Sequence, residues 1–207
     1  MNRDPDYLVS VIGGRGVGKS TATIRFIHNV SLEDYDGVID DTYLKTFRIS
    51  DDDDDDECQN MVVSRQVTLE VLDEMRYEPL CGYHACYFRK SHGFLLLFSL
   101  TDRESLLNWA DLCWRRVIRA RDGLDNDNLS VVLVGTKSDL VDDRVISVEE
   151  AMDFAREFKF DKYVEISAKT SCDDVEECFH LLTRLMMRKP WPPRQNEKHT
   201  EKRCQIQ

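Results

Sequence analysis

No apolar run in this chain of 207 residues approaches the roughly 20 needed to span a bilayer; the longest, Phe94 to Leu100, is far shorter. The start, Met1-Asn2-Arg3-Asp4-Pro5-Asp6, has no apolar core of signal-peptide type, so no secretory leader is expected. Any membrane contact is therefore expected to come from an added lipid or a surface patch. No C-x-x-C pair occurs, and the seven cysteines (Cys58, Cys81, Cys86, Cys113, Cys172, Cys178 and Cys204) are odd in number. A zinc site or a disulfide framework is thus poorly supported, and a reducing cytosol is expected. Positive charge is in deficit: 28 Lys and Arg against 39 Asp and Glu leave a formal net charge of -11. An acidic surface repels phosphate backbones, which argues against nucleic-acid binding. Much of the excess lies in the single run Asp51 to Glu57, so the remaining surface is less acidic than the total suggests. There is no internal repeat.

Hydrophobic residues make up 42% of the chain, enough for one α/β domain with a proper core. Tyr7 to Ile12 is short, β-branched and bounded by glycine, and reads as a buried strand. Lys19 to Asn29 reads as a helix. Thr42 to Ile49 and Val67 to Leu72 read as a strand pair, joined through an acidic stretch that cannot pack in a core. Phe94 to Leu100 is continuously apolar, as expected of a strand covered on both faces. Glu104 to Ala120 and Val148 to Phe158 read as helices, Val131 to Val134 and Tyr163 to Ile166 as strands, and Val175 to Met187 as a last helix. Pro190, Pro192 and Pro193 end it. This alternation predicts a mostly parallel, six-stranded sheet with helices on both faces and a ligand site at the carboxyl ends of the strands. Residues 1–188 form the domain, 50–62 an acidic hairpin insertion, and 189–207 a flexible tail.

Gly13-Gly14-Arg15-Gly16-Val17-Gly18-Lys19-Ser20 matches G-x-x-x-x-G-K-S and sits between a strand and a helix. Its glycines let backbone N–H groups turn inward around phosphate oxygens, and the helix that starts there adds its positive dipole end. Lys19 offers a point charge for β- and γ-phosphates, and Ser20, followed by Thr21, a hydroxyl for Mg²⁺. Two further segments select the base. Asp139, in Thr136-Lys137-Ser138-Asp139, can accept from both the ring N–H and the exocyclic amine of guanine. Adenine offers no such pair. Lys137 can lie along the base and hold the phosphate loop. In Ser167-Ala168-Lys169 a backbone N–H can donate to the guanine carbonyl oxygen. Each segment is weak alone; the three together, each after a buried strand, are strong.

With these segments the sequence resembles the Ras family of small GTPases, over roughly residues 7 to 188 and at the C-terminal end. The resemblance implies a P-loop small G domain that binds GTP or GDP with Mg²⁺. Tyr35-Asp36 and Ile39-Asp40-Asp41-Thr42-Tyr43 resemble the first switch, with Tyr35 at the nucleotide and Ile39, Asp40, Asp41, Thr42 and Tyr43 as the effector segment. Leu72-Asp73 resembles the start of the second switch, with Asp73 holding Mg²⁺ through water. Implied partners are effector proteins and exchange factors acting on a monomer.

The departures from the family fall on catalysis. Arg15 replaces the usual glycine and crowds the γ-phosphate. Val38 replaces the switch threonine; valine has its shape but no hydroxyl to coordinate Mg²⁺. Gly37, where proline is usual, loosens the loop. Arg76 replaces the glycine of D-x-x-G. Tyr77 replaces the water-positioning glutamine, so no confident catalytic residue remains. That glutamine, with a supplied arginine, accounts for a stimulated rate of order 10⁵-fold. Ser31 replaces an aromatic that stacks on guanine. Slow or absent hydrolysis is expected.

The acidic insertion lacks the spaced ligands and turn glycine of an EF-hand loop, so a solvated low-complexity segment is expected. The chain ends Cys204-Gln205-Ile206-Gln207, which fits C-a-a-X with Gln205 a poor aliphatic match. A prenyl group on Cys204, with a modestly basic tail as second signal, would place the protein at the cytoplasmic face of a membrane, the plasma membrane first, and in cytosol. Two readings stay open: a signalling switch that hydrolyses GTP slowly, and a pseudo-GTPase binding module with a structural nucleotide.

Overall fold

The structure, a computed structural model, describes residues 4–30, 35, 42–50, 64–73, 82–122 and 128–190, without the side chains of 82–84. The expectations for Ser31, Gly37, Val38, Ile39, Asp40, Asp41, the acidic run, Arg76, Tyr77, Cys204 and most of the tail lie outside these residues.

Six strands form one sheet: β1 (Tyr7–Gly13), β2 (Thr42–Ser50), β3 (Ser64–Asp73), β4 (Gly93–Ser99), β5 (Ser130–Thr136) and β6 (Lys162–Ile166), in the order β2-β3-β1-β4-β5-β6. All neighbours run parallel except β2 and β3, which pair antiparallel from Thr42 opposite Leu72 to Ser50 opposite Ser64. The expected mostly parallel sheet is thus present. Helix α1 (Lys19–His28) and α5 (Cys172–Arg188) cover one face. Helix α2 (Gly82–Lys90), α3 (Asp111–Ala120, continuous with a π-helical turn at Ser105–Ala110) and α4 (Val148–Glu157) serve the other.

The central strands are apolar throughout because successive side chains enter opposite cores. Leu95 and Leu97 of β4 join Val132 and Val134 of β5 in the core under α1 and α5. Phe94, Leu96 and Phe98, with Val131 and Leu133, enter the core under α3 and α4. Phe26 of α1 and Phe179 of α5 stack 3.9 Å apart and join those two helices. Fully burying each such ring stabilises by roughly 1.5–3 kcal/mol. α4 begins at a capping box: the Ser147 side chain accepts from Glu150 N–H while Glu150 accepts from Ser147 N–H.

The sequence pattern gives no sign of α2. Its C-terminal end is held from outside: buried Arg121 donates through Nη1 to the carbonyls of Phe88 (2.8 Å), Arg89 (3.0 Å) and Ser91 (3.2 Å). A guanidinium at a helix C-terminus satisfies the last carbonyls and meets the dipole's negative end. These contacts join residues 30 to 33 apart, beyond any local periodicity. β1, β3, β4, β5 and β6 all end on one edge, at Gly13, Asp73, Ser99, Thr136 and Ile166.

Candidate nucleotide site

The loop from Gly13 to Gly18 leaves β1 and becomes α1. Gly13 has φ +149°, and a Cβ there would lie 2.3 Å from the carbonyl oxygen of Leu97 on the paired strand. No other residue fits. Gly16 (φ +72°) and Gly18 (φ +96°) need glycine for backbone reasons alone, since a Cβ on either would meet nothing within 4 Å. The loop is thus a left-handed turn that opens into space at its crest, the geometry that turns N–H groups toward an anion. Gly14 lies against Trp109, whose Cβ would come 3.0 Å from an added side chain. Arg15 and Gly16 are exposed and Val17 is buried.

Gly18 caps α1 with no side-chain hydrogen bond. The first-turn N–H groups therefore face whatever the loop holds. Half-buried Ser20 and Thr21 stand in that first turn. Lys19 Nζ donates to the carbonyls of Gly13 (3.0 Å) and Gly14 (2.7 Å), which holds its ammonium over the loop. Asp73 ends β3, opposite Val11 in register, with its side chain 1% exposed. A buried carboxylate calls for a cation nearby. Among the described residues no three His, Cys, Asp or Glu cluster as a metal site. Ser20 and Asp73 are the residues that would hold Mg²⁺ here, Asp73 through water, with phosphate oxygens and waters completing its ligands. Such an ion neutralises phosphate charge and orients the chain of phosphates.

The base side is built from two strand ends tied to each other and to the phosphate loop. Thr136 Oγ1 donates to the carbonyl of Val17 (2.6 Å) and approaches that of Phe98 (2.8 Å). This hydroxyl ties the end of β5 to the phosphate loop. Lys137 follows at φ +63°, a left-handed conformation for a residue with a side chain, which turns the chain toward Asp139. Ser167 Oγ donates to Asp139 Oδ1 at 2.6 Å, and Ser138 N–H donates to the Ile166 carbonyl at 3.3 Å. The exposed Asp139 carboxylate is thereby aimed by a buried serine. Ala168 is buried and Lys169 exposed.

A second tie lies one residue back. Arg144 grips Glu165 in a fork, Nη1 to Oε2 at 2.8 Å and Nη2 to Oε1 at 2.6 Å, and Tyr163 donates to Oε1 at 2.5 Å. Burial pushes the Glu165 carboxyl up, but the hydrogen bonds from Arg144 and Tyr163 outweigh it and hold the group below its usual range. Burial, with the Glu165 carboxylate beside it, pushes the Tyr163 phenol up. Arg144 and Tyr163 lie in no motif; the acidic residue before Ile166-Ser167 is the sequence signal that points to them.

At the switch segment, Tyr35 stacks on His28 at 4.8 Å, and the ring of Tyr43 meets the same histidine edge-on at 6.2 Å. Tyr43 is buried at 8% exposure and Thr42 half-buried, whereas Leu44 beside them is 60% exposed. β2 is an edge strand, so Leu44 stands on an open sheet margin.

A Ras-family model matches residues 8–188. The chain belongs to the Ras family and is a small GTP-binding signalling protein; members of the family generally bind GTP or GDP with Mg²⁺, hydrolyse GTP and bind effectors and regulators.

Proposed function

We propose that this protein is a membrane-attached switch that grips guanine nucleotide firmly and hydrolyses GTP slowly. One contrast carries the reading. The groups that hold phosphate, Mg²⁺ and guanine are present: Lys19 over the loop, Ser20 in the first turn of α1, Asp73 at the end of β3, Asp139 aimed by Ser167. The residues that sense and cleave the γ-phosphate are replaced, by Arg15, Val38, Arg76 and Tyr77. A phenol at position 77 cannot both donate to and accept from an attacking water as an amide does.

The effector face of this switch comprises Ile39, Asp40, Asp41, Thr42 and Tyr43. Attachment would use a prenyl group on Cys204, supported by the C-a-a-X match and by the lysines and arginines that precede it. A Cys204→Ser change would then move the protein from membrane to cytosol in fractionated cells. The same replacements favour a second reading, a pseudo-GTPase whose nucleotide is structural. Nucleotide content of the purified protein, measured with turnover in one preparation, separates them. Bound GDP with slow turnover supports a slow switch. Bound GTP that never turns over supports the pseudo-GTPase. Protein free of nucleotide, without affinity for added GDP, overturns both.

A further inference from the structure

Arg25 stands on α1, outside both motif loops, and its guanidinium reaches across to the base side. Nε donates to the Ala168 carbonyl at 2.9 Å, Nη2 to the Lys169 carbonyl at 2.7 Å, and Nη1 to Cys172 Sγ at 3.3 Å. A rigid planar fork can serve two successive carbonyls only when the loop holds one shape. The described residues contain no cis peptide bond. In a trans peptide the carbonyl and the N–H that follows it point in opposite directions. With the Lys169 carbonyl drawn toward α1, the Thr170 N–H points away and donates to Ser167 Oγ at 3.2 Å, and that hydroxyl donates in turn to Asp139. Asp139 therefore lies on the side of the loop opposite Arg25. The Ala168 carbonyl is drawn to α1 in the same way, so the Lys169 N–H points to the Asp139 side too.

We propose that Arg25 is a positioning residue for guanine recognition. It holds Ala168 and Lys169 so that the Lys169 N–H meets the 6-carbonyl oxygen of guanine while Asp139 takes the adjacent ring N–H and 2-amine. Because α1 begins with Lys19 and Ser20, one rigid helix then sets the distance between phosphate grip and base grip. This inference rests on the guanine-nucleotide reading above.

The test separates the 6-carbonyl of the base from its 2-amine. Dissociation constants are measured on the full chain with Mg²⁺ for three diphosphates: GDP, inosine diphosphate (6-carbonyl and ring N–H but no 2-amine) and 2-aminopurine riboside diphosphate (2-amine but neither 6-carbonyl nor the N1–H beside it). Wild type is compared with Arg25→Ala, Arg25→Gln and Arg25→Lys. Arg25→Ala is expected to weaken GDP and inosine diphosphate by about ten-fold, and the 2-aminopurine nucleotide by less than about two-fold, the scale of one misplaced hydrogen bond. Gln and Lys, each able to reach one carbonyl, recover part of the loss. Equal loss for all three nucleotides, or no loss, overturns the proposal. Failure of both Arg25→Ala and Arg25→Gln to fold also overturns it, since the role is then structural. A wild type that binds none of the three overturns the guanine reading itself, a distinguishable outcome.

Discussion

Thr136→Val tests whether the phosphate loop and the base loop form one unit. Valine keeps the shape of threonine and removes only the hydroxyl. In the folded protein Thr136 is 2% exposed and its single proton serves the carbonyl of Val17 at 2.6 Å, with that of Phe98 at 2.8 Å sharing it. Both acceptors sit in residues that are almost wholly buried, so water cannot replace the lost donor. Leaving one buried carbonyl without its donor costs about 1–3 kcal/mol. For a domain of this size each kcal/mol lowers the melting point by about 2–4 °C, so a fall of roughly 2–12 °C is expected. The loss falls where the phosphate loop meets β5, so nucleotide should also leave faster. Thermal melts followed by circular dichroism, in excess GDP and after nucleotide removal, measure the first effect. Release of a fluorescent GDP measures the second. The variant's deficit should be larger with nucleotide present, because weaker binding adds to weaker folding. A melting point within about 1 °C of wild type, with unchanged release, would refute the reasoning.

Glu165→Gln should change acid stability. The Glu165 carboxyl is held below its ordinary value of 4.5 in the folded protein, so its contribution is fully present above that value and fades as pH falls through the lower, folded value. Urea midpoints should therefore favour wild type at neutral pH and converge with those of the variant in acid; a gap independent of pH contradicts the assignment. Gly13→Ala places a Cβ 2.3 Å from a strand carbonyl that cannot move, so loss of about 3 kcal/mol or more, or failure to fold, is expected. Gly16→Ala has open space and suffers only its left-handed φ, about 1 kcal/mol, and the two variants compared by denaturation distinguish clash from backbone strain.

The strands and the phosphate loop could be read in the sequence because their determinants are local. The largely apolar run Phe94 to Leu100 is too short for a buried helix and suits a strand covered on both faces, and left-handed turns at Gly16 and Gly18 demand glycine. Asp139 and Ser167 were legible as residues, but not as a bonded pair, since their contact joins positions 28 apart. Arg25, Arg121 and Arg144 escaped for a common reason. Each is a lone arginine on a helix or loop whose partners are backbone carbonyls or a distant carboxylate, and sequence spacing carries no trace of such pairs. The Thr136 tie illustrates the opposite case: a residue picked for its motif does something its motif does not state.

The central claim is that this site holds guanine nucleotide with an intact grip and cleaves it poorly. Single-turnover hydrolysis of GTP preloaded on the purified protein, with Val38→Thr/Tyr77→Gln measured beside it, tests that most directly. The expected wild-type rate is well below the order of 10⁻⁴ s⁻¹ of unstimulated family members, with nucleotide retained and a faster rate in the double variant. A wild-type rate at or above that level, unchanged by the two substitutions, would contradict it.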